Sequence, residues 1–367
     1  MEKVILNLST TEATFLDDTT NPRYEETDVV LLGIACDLTA SYNKGAWYGP
    51  FAILDASYQV EYATPVFHLA LTDVVKIHNK GILECPNSLD EEGNLLAFEY
   101  ETIEEIMTEM VEKTKDIATA VFKDKKMLMV FGGDHSVPNG VWNSIEELYS
   151  SEEVFILHFD GHLDLRETLD EHKYSHACIM RRAREKGFQV VQVGMRDHLS
   201  EEEVEYIQEN NFQKDLYFCA TQTKEFYTEF ETQITTNRVL EIPNLLFNGK
   251  ITAEQLKTIV DKIVLAKYLW ITVDVDGLDA SDIPGTGTPL PLGLKRSTLR
   301  KIIYEVLRAA TKNNVQFLGF DINEVAPQLK KEGEYTPLNT VSTLNEMDAA
   351  LLAYNILFWN YLDRFSK

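Results

Sequence analysis

The chain has 367 residues, 59 acidic against 34 basic side chains, a formal charge of −25 and 44% hydrophobic residues. That length suits one large α/β domain or two small ones, and the acidic balance argues against a nucleic-acid partner, whose phosphates it would repel. No apolar run approaches the ~18 residues of a membrane span, and the first residues lack a signal peptide's apolar core, so a cytoplasmic protein without membrane attachment is expected. The four cysteines, Cys36, Cys85, Cys178 and Cys219, are scattered with no C-x-x-C pair and read as buried thiols.

Residues 1–27 are polar and read as an N-terminal extension, leaving 28–367 as a single domain. Asp28 to Cys36 reads as a first buried strand, Phe51 to Tyr58 as a helix, and Asn79 to Glu92 as turn-rich. A long helix is expected from Phe98 to Phe122, where Ile103, Ile106, Met107, Met110 and Val111 recur at helical spacing. From Met127 the pattern becomes strand, loop, helix. Strands are expected at Met127–Phe131, Val154–Phe159, Val190–Val193, Asp215–Ala220, Val239–Ile242, Tyr268–Val275 and Val315–Phe320. Helices are expected at Tyr174–Lys186, Glu201–Glu209, Lys224–Thr235, Ala253–Leu265, Arg296–Thr311 and Asn345–Tyr361. Short strands alternating with helices predict an α/β, three-layer sandwich around a mostly parallel central sheet.

In such folds, sites form beyond the carboxyl ends of the strands. Four predicted strand ends carry reactive side chains: Asp134-His135, then Asp160, His162 and Asp164, then Asp274 and Asp276, and last Asp321 to Glu324. One acidic residue at a strand end usually caps the next helix. Two alternating sets, D-x-H-x-D and D-x-D, are hard to explain that way, because clustered buried carboxylates repel one another without cations. In extended chain, side chains repeat every two residues, so Asp160, His162 and Asp164 are expected to share one face. His135, Asp160, His162, Asp164, Asp274 and Asp276 offer four carboxylates and two imidazoles, a hard donor set that suits Mn²⁺ better than structural zinc and is enough for two ions.

These motifs resemble those of the ureohydrolase family, the arginases and agmatinases, with the agmatinase branch nearer. The resemblance runs from about Val29 to Tyr361. Gly132-Gly133-Asp134-His135-Ser136 matches G-G-D-H-S, and Asp160 to Asp164 matches D-A-H-x-D with Gly161 for the usual Ala. Asp274 to Asp279 matches D-x-D-x-x-D, Pro284 to Pro289 matches P-G-T-G-T-P, and Asp321 to Pro327 matches D-x-x-E-V-x-P. The resemblance implies an arginase-like fold and two Mn²⁺ per subunit. It implies that His135, Asp160, Asp164 and Asp274 hold one ion and Asp160, His162, Asp274 and Asp276 the other. It also implies that Glu324 pairs with a guanidinium, Asp164 handles the reacting proton and His176 shuttles protons.

The implied reaction is hydrolysis of a small cationic guanidino substrate to urea and a primary amine. Agmatine to putrescine, a step of polyamine synthesis, is the first choice. The resemblance further implies a homo-oligomer, a trimer or hexamer.

Two departures stand out. Arg166, two residues past Asp164, is a carboxylate-binding side chain near where related enzymes meet the far end of the substrate. It opens the alternative of guanidinobutyrate, formimidoylglutamate or arginine, or else it pairs with Glu167, Asp170 or Glu171. Leu292 stands where agmatinases usually carry glycine. A non-catalytic metal-bound regulator would show a broken ligand set, and a single-metal deacylase would not need both acidic sets.

Overall fold

The computed structural model describes residues 6–17, 19–61, 69–90, 92–225, 228, 243–329, 340 and 342–366. Within them the strands are β1 (Asn7–Ser9), β2 (Val29–Ala35), β3 (Ile77–Glu84), β4 (Met127–Phe131), β5 (Val154–Phe159), β6 (Gln189–Val193), β7 (Leu216–Ala220), β8 (Asn244–Phe247), β9 (Tyr268–Asp274) and β10 (Gln316–Asn323). The helices are α1 (Gly49–Ser57), α2 (Tyr100–Lys123), α3 (Asn139–Leu148), α4 (Ile179–Glu185), α5 (Glu201–Asn210), α6 (Ala253–Ile263), α7 (Arg296–Lys312) and α8 (Leu344–Asn360).

The strands form one sheet in the order β1-β3-β2-β4-β10-β9-β5-β6-β7-β8. Only β1 runs antiparallel, against β3. Alternation along each strand feeds two cores. Val29, Leu31, Met129, Leu157 and Ile271 face α1, α6, α7 and α8. Val30, Leu32, Leu128, Ile156 and Trp270 face α2, α3, α4 and α5. Burial on both faces is why these strands are nearly continuous apolar runs, and each buried aliphatic side chain contributes ~1.5–3 kcal/mol. The four cysteines are free and buried.

The expected strands fall within a residue or two of β2, β4, β5, β6, β7 and β9, and β10 runs three residues further. The expected strand Val239–Ile242 lies outside the described residues, as does most of the helix expected at Lys224–Thr235.

β3 corrects the turn-rich reading of the segment after Asn79. Its sequence, with Asn79, Lys80 and Gly81 in mid-strand, has poor strand propensity. The N-terminal segment compensates. Asn21 Oδ1 accepts from the Asn79 N–H at 2.8 Å, and Asn21 Nδ2 donates to the Asn79 carbonyl at 2.8 Å. The 1–27 stretch also supplies β1 and buries Phe15 and Leu16 in the core.

The centre of the sheet, β4-β10-β9-β5, sets the site. Its four strands end side by side, and each carries one of the four reactive segments at or just past its end.

Candidate metal centre

β4 runs into Gly132 and Gly133 before Asp134. A Cβ on Gly133 would lie 1.8 Å from the Cys36 carbonyl oxygen, so only glycine lets this turn cross the end of β2. Asp134 is a fully buried staple. Its Oδ2 accepts from the Thr39 N–H at 3.0 Å and the Thr39 hydroxyl at 2.8 Å, while Oδ1 accepts from Ser136. His135 is thereby fixed over the ends of β9 and β5.

His135 Nε2 lies 2.9 Å from Thr272 Oγ1. Thr272 gives its hydroxyl hydrogen to Asp321 Oδ1 at 2.5 Å. Its oxygen must therefore accept from His135 Nε2–H, which leaves Nδ1 facing the cluster. Around that nitrogen stand Asp160 Oδ2 at 3.1 Å, Asp274 Oδ2 at 3.4 Å and Asp164 Oδ2 at 3.5 Å. One nitrogen cannot satisfy three carboxylate oxygens. Burial alone would push His135 down, but Asp160 and Asp274 outweigh it and hold the imidazole well above its usual value. A cation would take the place of that second proton.

Asp160 follows β5 directly, is fully buried, and belongs to two groups of converging donors. One is His135, His158, Asp160 and Asp164; the other is Asp160, His162 and Asp276. Burial opposes its charge, yet hydrogen bonds from His135, His158 and His162 hold it well below the usual carboxylate range. Asp164 is the reverse case. Burial and the charge of Asp160 raise it well above its usual value, and its buried Oδ2 makes no hydrogen bond. Asp274 is raised by burial and by Asp276 and Asp160. A buried, mutually repelling carboxylate set with an orphaned oxygen fits divalent cations, and its oxygen-rich composition fits hard ones.

The three residues of D-x-H-x-D do meet, but not by extended alternation. The strand ends at Phe159, and Asp164 adopts φ +53°. The chain turns these side chains together, and His162 N–H bonds back to Asp160 Oδ1 at 2.6 Å. His162 Nδ1 lies 3.0 Å from Asp276 Oδ2, which also accepts from Thr288 Oγ1 at 3.0 Å. A Cβ on Gly161 would come 2.9 Å from Arg196 Nη1 and 3.0 Å from Asp276 Oδ1, so alanine there needs those side chains to give.

A cavity of about 200 Å³ opens onto His162, Asp164, Arg166, His176, Asp197 and Thr288, among others. Burial lowers His176, and its Nε2 sits 3.3 Å from Ser41 Oγ. Arg166 bonds through its backbone N–H to the Ala177 carbonyl at 3.1 Å. No ion pair joins it to Glu167, Asp170 or Glu171 among the described residues. Glu324 is not a wall of this cavity. It adopts a left-handed conformation, φ +64°, and its Oε1 accepts from the His135 N–H at 3.0 Å. Its carboxyl is raised well above its usual value by burial and by Asp274 and Asp134.

Sequence reasoning missed Thr272, Thr288, His158 and Arg196. The Arg196 guanidinium donates to the carbonyls of Asp276, Leu278 and Leu290 at 2.7, 3.0 and 2.7 Å and so pins the loop carrying Asp276. His158 had a visible signal, since it extends the two-residue alternation back from Asp160.

Comparison with known proteins gives the same answer from another side. The family model described as "Arginase family" matches residues 27–239 and 246–349. An N(1)-aminopropylagmatine ureohydrolase of Synechocystis is 26% identical over 95% of both chains. An agmatinase of Bacillus subtilis is 27% identical over 83% of this chain and 86% of its own. In fold, the agmatine ureohydrolase of Thermoplasma volcanium superposes with a TM-score of 0.66 at 21% identity, covering 94% of each chain. The arginase of Bacillus subtilis does so at 0.60 and 18%, over 90% of this chain and 98% of its own. With its buried donor set and an arginase-type sheet beneath it, the chain belongs to the arginase family of metal-dependent ureohydrolases.

Proposed function

We propose that the protein is a binuclear-manganese enzyme that cleaves agmatine to putrescine and urea. The observation that carries this is the pair of donor groups sharing Asp160, surrounded by carboxylates that cannot all ionise without cations. His135, Asp160, Asp164 and Asp274 would hold one ion, and Asp160, His162, Asp274 and Asp276 the other. Bound there, the ions would supply Lewis-acid charge and acidify water.

The chain's own groups account for the protons. Asp164 lines the cavity with a buried oxygen that makes no hydrogen bond, so it can take the proton of the attacking water and return it to the departing amine. His176, lowered by burial and in the same wall, is neutral near pH 7 and can relay protons to solvent. Glu324 accepts from the His135 backbone N–H and would pair with the substrate guanidinium. A homo-oligomer, trimer or hexamer, belongs to the same proposal.

A second reading is favoured by Arg166, a cation in the cavity wall without an ion pair among the described residues. It suits a substrate with a carboxylate at its far end, such as guanidinobutyrate, formimidoylglutamate or arginine. The test is metal analysis of protein purified without chelator, followed by kcat/KM on agmatine, its N(1)-aminopropyl derivative and these acids, scored by urea or formamide release. Agmatine turnover well below that of 4-guanidinobutyrate refutes the first reading and promotes the second. Asp160→Asn and Asp274→Asn should each lose metal and turnover. Full activity with stoichiometric manganese in either would overturn the metal assignment.

A further inference from the structure

Beneath the ligands, one polar row crosses four central strands. Asp321 on β10 is in register with Thr272 on β9, Thr272 with His158 on β5, and His158 with Gln192 on β6. All four are fully buried. The Asp321–Thr272 end serves His135. The other end has no role in the reaction described above.

His158 Nε2 lies 2.9 Å from Asp160 Oδ2, and His158 Nδ1 lies 3.2 Å from Gln192 Nε2. The Gln192 amide is oriented from outside. Its Oε1 accepts from Arg184 Nη2 at 3.2 Å, and its Nε2 donates to the Leu163 carbonyl at 2.8 Å. Arg184 is itself held by the Val190 carbonyl at 3.1 Å and stacked on Phe212 at 3.7 Å. With its oxygen committed to a guanidinium, Gln192 can only donate to His158. Nδ1 therefore accepts, and the imidazole hydrogen sits on Nε2, aimed at Asp160. On the other carboxylate oxygen, Oδ1, the His162 N–H takes one lone pair at 2.6 Å. Each oxygen of Asp160 thus keeps one free lone pair. That on Oδ2 faces His135 Nδ1 at 3.1 Å, and that on Oδ1 faces His162 Nδ1 at 3.4 Å.

We propose that His158, locked by Gln192 and Arg184, is a positioning residue that forces Asp160 to bridge two metal ions, and is not itself a ligand. This rests on the reading of Asp160 as the shared ligand. A ligand role would require the lone pair of Nε2, and Gln192 has placed the hydrogen there.

The test uses metal-free full-length protein titrated with Mn²⁺, with stoichiometry by equilibrium dialysis and metal coupling by electron paramagnetic resonance. Wild type should take up two ions per subunit with a spin-coupled signal. His158→Phe keeps the ring and removes the donor. It should still saturate at two ions, but with affinity weakened roughly 10–100-fold and the coupled signal altered. His158→Gln, whose amide N–H reaches the place of Nε2, should recover affinity to within about fivefold of wild type.

Gln192→Leu, one layer further out, should weaken binding in the same direction by about threefold or more, and it decides the question if His158→Phe fails to fold. Unchanged affinity in His158→Phe or in Gln192→Leu overturns the proposal. So does saturation of His158→Phe at one ion, which would make His158 a ligand. A wild type that binds no metal pair would instead sink the preceding reading of the site.

Discussion

Replacing Thr272 by valine separates the fold from the metal site. Valine matches threonine in shape, so packing on β9 is kept. Two hydrogen bonds are lost, the one accepted from His135 Nε2 at 2.9 Å and the one given to Asp321 Oδ1 at 2.5 Å. Asp321 keeps Trp270 Nε1, at 2.5 Å on Oδ2, and Asn323 Nδ2, so its share of the loss is about 1 kcal/mol. His135 has a way out that costs the fold little. It can give up the Nε2 hydrogen and keep the one on Nδ1, where three carboxylates wait. That tautomer blocks the lone pair a metal needs, and restoring it buries an unsatisfied N–H at about 1–3 kcal/mol. Thr272→Val should therefore destabilise the metal-free protein by only about 1–2 kcal/mol in urea unfolding, while Mn²⁺ affinity falls roughly 10–100-fold by dialysis. Equal metal affinity in the variant, with the fold intact, would refute the tautomer argument.

Other changes probe regions away from the ligands. Glu346 is 1% exposed, its carboxylate oxygens make no hydrogen bond, and burial pushes it up to about 7 from 4.5. The folded state then holds the proton more tightly than the unfolded one. The penalty is absent below pH 4.5, grows as pH rises to 7, and is complete above it, at most about 3 kcal/mol. Glu346→Gln should raise stability at pH 8 and leave it unchanged near pH 4.5, and a pH-independent effect in denaturant titrations would contradict this.

Leu292 adopts φ +63° and is 53% exposed, a left-handed conformation that costs a non-glycine residue about 1–2 kcal/mol. Leu292→Gly should stabilise by about 0.5–1 kcal/mol once the added freedom of the unfolded chain is counted; a clear loss in the same assay would count against it. Arg166→Met should leave agmatine kcat/KM within about threefold and cost anionic guanidino substrates about 1.5–3 kcal/mol. A large loss on agmatine alone would place Arg166 elsewhere in the chemistry.

Much of this could be read from the sequence because the central strands are buried on both faces. Val29 to Ala35, Val154 to Phe159 and Tyr268 to Val273 are almost wholly apolar, and the abrupt acidic residues after them mark where the core stops. β3 was hidden because its polar middle is supported by Asn21, 58 positions from Asn79. The supporting row was hidden for a related reason. Thr272, His158 and Gln192 each look like single polar interruptions in a strand, and only the register of β9, β5 and β6 makes them neighbours. The Leu292 departure was visible as an oddity, and its meaning needed the backbone angle. Convergence of Asp160, His162 and Asp164 was expected for the wrong reason, since the turn at Asp164 and not strand alternation brings them together.

The order β4-β10-β9-β5 also governs when the protein can first work. β10 enters between strands made long before it, so the segments after Phe131, Phe159, Asp274 and Asn323 become neighbours only once almost the whole chain exists. No fragment ending before residue 268 can assemble the ligand set, however well its own helices form. Closure of this donor cluster therefore waits for β9 and β10.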